Sequence, residues 1–264
     1  MKIGKFLSKE LTASKHYNLK NSIRFWRNYL KSIGYGDNLN KLADINKTDK
    51  WGSHYYTQHY QSHFYKLKNK KIKLLEIVVG GYDDPFNGGA SLRMWKRYFT
   101  KGKIYSIDIF DKSPQQENRI KIFQGSQIDE IFLKKVILEI SEPDIIIDDG
   151  SHLNEHVIKT FNILFPFLKT NGIYVIEDVQ TSYWPEAGGD SNDLQNANNT
   201  MNFFKKLSDG LNHEEYLKPD YNPTYFDMNI VSIHFYHNLI FIHKGDNHEG
   251  SNSVKNGKLI DENA

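Results

Sequence analysis

Apolar residues fall into two kinds of run along this chain. Short, β-branched runs closed by turn residues predict buried strands of a parallel sheet, while apolar residues recurring every three to four positions predict helices. Ile145–Ile147 and Ile173–Ile176 are of the first kind, and each runs into paired acids, Asp148-Asp149 and Glu177-Asp178. Leu153–Leu168 between them is long enough for a crossover helix, so the stretch reads as one right-handed βαβ unit. Its strands deliver their acids to one carboxyl edge, where open α/β sheets bind ligands. Four acids gathered there repel one another unless a cation sits among them.

Upstream, Lys73–Val79 predicts a first core strand running into Gly80-Gly81-Tyr82 and then Gly88-Gly89-Ala90-Ser91, followed by a helix over Leu92–Phe99. Strand, glycine turn and helix is the plan of a nucleotide-binding βα unit, although the spacing is not GxGxxG. Gly80, Gly81, Tyr82 and Ser91 are therefore candidate cofactor contacts. Glu76, an acid inside an apolar strand, needs backbone amides or a ligand to offset its burial. Asp108 ends the second strand, Lys103–Ile109, and is placed to take the hydroxyls of a ribose. The third strand, Arg119–Phe123, leads to a polar loop in which Gln124, Ser126 and Asp129 are candidate adenine contacts; Asp129 is equally placed to cap the helix Asp129–Glu139.

Downstream, residues 187–199 are rich in Gly, Asn and Asp and read as a lid or a disordered loop, before a helix from about Asn199 to Leu211. Met228–Tyr236 and Leu239–His243, joined by His237-Asn238, predict an antiparallel hairpin at the sheet edge. Residues 246–264 are polar and aperiodic and read as a disordered tail. At the other end, Leu19, Ile23, Trp26, Leu30 and Ile33 recur at helical spacing with basic residues on the other faces. That stripe predicts a helix packed on the main domain or a neighbouring subunit, with a membrane surface or acidic partner as the alternative. The polar and aromatic stretch Thr48–Thr57 either folds over a ligand or contributes Trp51 and Tyr55 to the core. The organisation read from these patterns is a helical appendage over 1–45, one domain over 46–245 and a tail over 246–264.

Composition narrows the classes. A chain of 264 residues with formal net charge +2 offers no charge argument for nucleic acid or membrane, and no dense basic stripe adjoins the motifs. Zero cysteines exclude disulfides, thiolate metal sites and a cysteine nucleophile. No apolar run approaches the ~18 residues of a membrane span, and the N-terminus has no signal-peptide core, so a cytoplasmic protein is expected.

Five parallel strands with crossovers, a closing hairpin, Glu76, the glycine turn and Asp108 together resemble the Rossmann-like class I S-adenosylmethionine (SAM)-dependent methyltransferases. Local sequence narrows the likeness. LEIVVGGYDDPFNGGASLRMW (75–95), IDDGSH (147–152), YVIEDVQTSYWPEAGG (174–189) and DKWGSHYYTQHY (49–60) resemble the metal-dependent sugar O-methyltransferases of macrolide biosynthesis. The resemblance covers about residues 46–245. It implies SAM and Mg²⁺ as cofactors, a homo-oligomer, and methyl transfer to a sugar hydroxyl of a glycosylated small molecule or a glycan. It also implies Asp149, Glu177 and Asp178 as metal ligands and His152 as general base. An all-carboxylate set suits a hard ion such as Mg²⁺, and His152 stands three residues beyond Asp149. Asp148, on the opposite side of its strand from Asp149, is a structural acid or belongs with the cofactor contacts. One departure stands out: Val78 occupies a position where the family's turn carries glycine, near the cofactor's path. That departure keeps a non-catalytic SAM- or sugar-binding protein open as an alternative, beside another metal-dependent small-molecule methyltransferase or a related hydroxylase of the SAM fold.

Overall fold

The computed structural model describes Tyr17 and residues 19–260. Helices are α1 (residues 19–31), α2 (Leu39–Asn46), α3 (Thr57–Phe64), α4 (Ala90–Tyr98), α5 (Glu130–Ile140), α6 (Asn154–Leu164), α7 (Thr200–Leu207) and α8 (Tyr225–Asn229). Strands are β1 (Lys73–Ile77), β2 (Lys103–Asp108), β3 (Ile120–Gln124), β4 (Ile145–Asp148), β5 (Ile173–Glu177), β6 (Ile230–Tyr236) and β7 (Leu239–Lys244), then a small hairpin of β8 (Val254–Lys255) and β9 (Lys258–Leu259). The first seven form one sheet in the order β3-β2-β1-β4-β5-β7-β6. The β2–β3, β1–β4 and β4–β5 pairs are parallel, and β7 runs antiparallel to both β5 and β6. Strand order reverses between β1 and β4, the topological switch point at which such sheets bind ligands.

The chain divides into two compact units: residues up to Ile72 with Val79–Gly125, and Lys73–Val78 with the chain from Ser126 onward. In the first, Tyr60, Phe64, Trp95 and Phe99 pack ring against ring and are fully buried. In the second, Phe161 packs against Phe165 and meets Tyr174 and Phe204 edge-on. Buried Lys244 caps the C-terminal end of α6, its Nζ donating to the carbonyls of Pro166 at 2.8 Å and Leu168 at 2.7 Å. Those carbonyls follow a helix end that lacks intrahelical donors, so the cation complements both the orphan oxygens and the helix dipole.

Three expectations need revision. The stripe on α1 does not face its own unit: Leu19, Ile23, Trp26, Leu30 and Ile33 are all 59–62% exposed. The helix attaches by another face, because Arg97 of α4 stacks over Tyr29 and bonds to Ser32. The polar stretch after 246 is pinned through Asn247, which donates to Asp227 O at 2.8 Å, and it carries the β8–β9 hairpin; residues 261–264 lie outside the described residues. The 187–199 stretch is ordered by side-chain bonds. Asn154 Nδ2 donates to the carbonyls of Thr181 and Ala187, its Oδ1 accepts from Thr200 N, and Asn202 Nδ2 donates to Gln195 O. In the Thr48–Thr57 stretch, Trp51 and Tyr55 form a β-bridge with edge-on rings, and Tyr56 is buried.

Candidate active site

The carboxyl ends of β4 and β5 carry the site. Parallel pairing sets Asp148 beside Ile176, so the residues just beyond each strand emerge side by side. Asp149, His152 and Asp178 meet there, with one potential ligand atom from each within 4.8 Å of the others. His152 Nε2 lies 3.9 Å from Asp149 Oδ1 and 3.7 Å from Asp178 Oδ2. Octahedral ligand atoms about 2.1 Å from Mg²⁺ stand about 3 Å apart when adjacent and about 4.2 Å when opposite. Asp149 and Asp178, with ligand atoms within 4.8 Å of one another, are close enough to share one such cation, with His152 beside them. His152 and Asp178 both adopt left-handed backbone, with φ of 56° and 54°. That conformation is costly for residues other than glycine and collects at functional sites; here it turns both side chains toward Asp149. Glu177, the last residue of β5, is buried opposite Leu239 and is not one of the three.

The loop bearing Asp149 and His152 rests on a buried polar clamp. Gln127 Oε1 accepts from Ser151 N at 2.8 Å, while its Nε2 donates to Thr160 Oγ1 at 3.1 Å and Asp148 Oδ1 at 3.4 Å. Gly150 N also donates to Asp148 Oδ1, at 3.3 Å. Asp148 is 1% exposed, so it supports the loop from beneath and presents no surface to a cofactor. Burial, reinforced by the charge of Asp149, pushes its carboxyl up to about 7, against the opposing bonds from Gly150 and Gln127. In sequence, Gln127 is one polar residue of a loop; its burial and its partners on α6 come only with the tertiary fold.

Apart from Asp148, the proposed cofactor residues lie on β1 to β3 and in the segments that follow them. Glu76 is fully buried in β1. Gly80 and Gly81 have φ of 79° and 80°, and a Cβ on Gly81 would fall 2.5 Å from the Asn87 backbone, so the turn requires glycine there. Tyr82 is 86% exposed beside it. Asp108 joins the turn to the tip of β2: its Oδ2 accepts from Val79 N and its Oδ1 from Phe110 N, both at 2.9 Å. Gln124 is Asp108's register partner on β3, and Ser91 lies in the first turn of α4. Ser126 accepts weakly from Ile128 N. Asp129 caps α5, accepting from Phe132 N at 3.0 Å, so the structure gives it the capping role of the two open to it. Sequence reading missed the support under the glycine turn. Buried Lys112 donates to Asp84 O at 2.7 Å, Gln115 to Pro85 O at 2.9 Å, and Arg93 to the carbonyls of Gly88 and Gly89. Val78 has φ of 78°, a conformation that strongly favours glycine. A cleft of about 730 Å³ runs beside α6 between Leu153 and Gly188; none of Asp149, His152 and Asp178 lines it.

Sheet order, closing hairpin and acid-tipped β4 and β5 define the class I SAM methyltransferase fold. No family model matches the sequence. The chain is 46% identical over 215 residues to demethylmacrocin O-methyltransferase of Streptomyces fradiae, covering 80% of this chain and 54% of that protein. It is 44% identical over 214 residues to mycinamicin VI 2''-O-methyltransferase of Micromonospora griseorubida, with the same coverage. The solved structure of the MycE methyltransferase from the mycinamycin pathway, in complex with Mg and SAH, matches with TM-score 0.78 and 45% identity, over 80% of this chain and 55% of that one. By sequence and fold the chain is similar to these sugar O-methyltransferases over about 80% of its own length. It spans just over half their length.

Proposed function

We propose that the chain is a SAM- and Mg²⁺-dependent O-methyltransferase acting on a sugar hydroxyl of a glycosylated small molecule or a glycan. The observation that carries this reading is the convergence of Asp149, His152 and Asp178 at the carboxyl ends of two neighbouring parallel strands. Asp149 and Asp178, with Glu177 beside them, would hold the cation. Bound Mg²⁺ supplies positive charge that orients vicinal hydroxyls and makes one of them more acidic. His152 Nε2, close to both carboxylates, would take the acceptor hydroxyl's proton, and SAM would supply the methyl group, its carbon–sulfur bond breaking as the carbon–oxygen bond forms. Gly80 and Gly81 would let the backbone approach the cofactor, and Glu76 and Asp108 would be among the residues that hold it. Methyl transfer from a sulfonium is intrinsically favourable, so orientation is a large share of what these residues contribute. Catalysis by residues 46–245, a cytoplasmic location and a homo-oligomer belong to the same reading. Among the described residues no helix is long and apolar enough to cross a membrane.

A methyl-transfer screen over glycosides, read by mass spectrometry with and without EDTA, tests the proposal. Product that forms in Mg²⁺, stops in EDTA and is lost in His152→Ala with SAM affinity kept is the expected result. Turnover surviving EDTA removes the metal, and wild-type turnover in His152→Ala removes the base. The left-handed Val78 favours a second reading, a SAM- or sugar-binding protein without turnover. Calorimetry separates the two, since SAM binding without product on any glycoside selects the second.

A further inference from the structure

The unit formed by the chain up to Ile72 and Val79–Gly125 carries a second cleft, of about 360 Å³, between α1, α4 and the segment entering β3. Its lining brings together Arg24, Arg93, Lys96, Arg97 and Arg119, with Glu117 as the one acid. Five cations against one carboxylate is a local excess, since the whole chain carries only +2. Glu117 is already committed: Oε1 to Arg93 Nε at 2.8 Å and Oε2 to Lys96 Nζ at 2.7 Å. Arg24, Arg97 and Arg119 lie around those two pairs, and the charge of Glu117 also reaches Arg24 and Arg119.

The hydrogen bonds of those three fix them, and one carboxylate among five cations leaves the ring positive. Arg119 donates to the carbonyls of Lys96, Phe99 and Gly102 at 2.8–2.9 Å, and Arg97 donates to Ser32 Oγ at 2.6 Å. A carbonyl or hydroxyl satisfies an N–H but leaves the charge in place, and each guanidinium has five donors. Arg24 bonds within its own helix segment, to Asn21 and Tyr17. Burial, and then the charge of Arg93, lower its pKa, as expected for a cation facing cations. The cleft is thus a pre-formed, half-buried ring of positive charge. Guanidinium forks match phosphate oxygens in pairs, and the volume falls in the range of small-molecule sites. Phe25 and Tyr29, 43% and 41% exposed, offer apolar ring surface at the rim.

We propose that this cleft binds a phosphorylated small molecule, its phosphate held by Arg24, Arg97 and Arg119 and its organic part lying against Phe25 and Tyr29. The site is independent of the methyltransferase reading. It has a route to the cofactor turn, because Arg93 lines the cleft and also holds the carbonyls of Gly88 and Gly89.

Calorimetry on the full chain at constant ionic strength, with glucose 1-phosphate, AMP and inorganic phosphate as probes and glucose and adenosine as neutral controls, tests it. The expected result is saturable one-to-one binding of at least one ester, none of the neutral parents, and no displacement by excess SAH. Arg24→Gln should weaken binding at least tenfold, the size of losing one charge-assisted contact. Asn118→Asp, an exposed lining residue that no buried contact depends on, should weaken it similarly and keeps the test decisive if Arg24→Gln misfolds. Absence of saturation at roughly millimolar probe, equal binding by both variants, displacement by SAH, or binding of inorganic phosphate but of neither ester would each overturn the proposal.

Discussion

Gly150 sits between Asp149 and the rest of the loop, and adding one methyl group there tests whether Gln127 positions the site. A Cβ on Gly150 would lie 2.3 Å from Gln127 Oε1 and 2.8 Å from its Cδ and Nε2. Those atoms end a flexible side chain, so Gln127 can swing away, but only by leaving Ser151 N, Thr160 Oγ1 and Asp148 Oδ1. Leaving a buried polar group unsatisfied costs about 1–3 kcal/mol, and squeezing the methyl in without movement costs about the same. Replacing glycine returns roughly 0.4–1 kcal/mol through the unfolded chain. Gly150→Ala should therefore destabilise the protein by about 1.3 kcal/mol, which is about 3–5 °C in melting temperature for a chain of this size. Asp149 and His152 flank the displaced segment, and a shift of about 1 Å at reacting groups costs up to about 100-fold in rate. Thermal melts in EDTA read the first effect, and kcat/KM for methyl transfer the second. In a Gln127→Ala background the collision is gone, so adding Gly150→Ala should no longer destabilise and should return the roughly 0.4–1 kcal/mol of the unfolded-chain effect. A variant that melts like wild type, or one that loses as much in the Gln127→Ala background, refutes the clamp.

The remaining predictions concern the turn and the buried acid. Val78→Gly removes a β-branched residue from a φ of 78°; relief of about 1–3 kcal/mol outweighs the roughly 0.5–1 kcal/mol of added chain freedom, so the melting temperature should rise and SAM bind more tightly, and a lower melting temperature would contradict the strain. Gly88→Ala places a Cβ 2.2 Å from Gly80 O at a φ of 105°, where backbone must move; a loss of about 3 kcal/mol or more is expected, with SAM binding abolished by calorimetry. Asp148 should make stability fall as pH rises. Its carboxyl ionises near 3.8 when unfolded and about 7 when folded, so between those values the folded state binds the extra proton. Asp148→Asn lacks that dependence, and melts in EDTA from pH 4 to pH 7 should show its stability growing relative to wild type; a constant difference would mean that Asp148 is ionised in the fold.

The parts of the fold legible in sequence are those whose cause is local. Ile145–Ile147 and Ile173–Ile176 are buried on both faces, so they read as strands without alternation. Asp149 and Asp178 follow directly from where those strands end and from parallel register. Glu177 illustrates the limit: it is equally acidic and adjacent, but strand alternation buries it opposite Leu239, while the left-handed turn at Asp178 swings the next side chain toward His152. Positive φ at a non-glycine residue has no composition signal, so neither Asp178 nor His152 announces its direction. Gln127, Lys112 and Gln115 are illegible for another reason. Their partners are backbone groups and side chains distant in sequence, and a polar residue looks the same whether it faces water or fills such a pocket.

Helix α1 carries the same lesson to the surface. Helical spacing correctly groups Leu19, Ile23, Trp26, Leu30 and Ile33 on one face, but periodicity says nothing about which face meets the protein. Arg97 over Tyr29 at 4.8 Å and Lys96 over Phe25 at 5.3 Å select the other one. Cation–π contacts of this kind are worth about 0.5–1 kcal/mol at exposed sites, and Arg97 adds its bonds to Ser32. The attachment that leaves the apolar stripe outward is also the one that assembles the cationic cleft, since Arg24 reaches that cleft only when α1 lies against α4 in this orientation. Arg97→Ala would remove the contact with Tyr29 and the bonds to Ser32, leaving Lys96 over Phe25. Loss of phosphate-ester binding together with release of α1, read as lost protection of residues 19–31 in hydrogen exchange, would tie the two together, whereas unchanged protection would mean that the helix is held by something other than these cations.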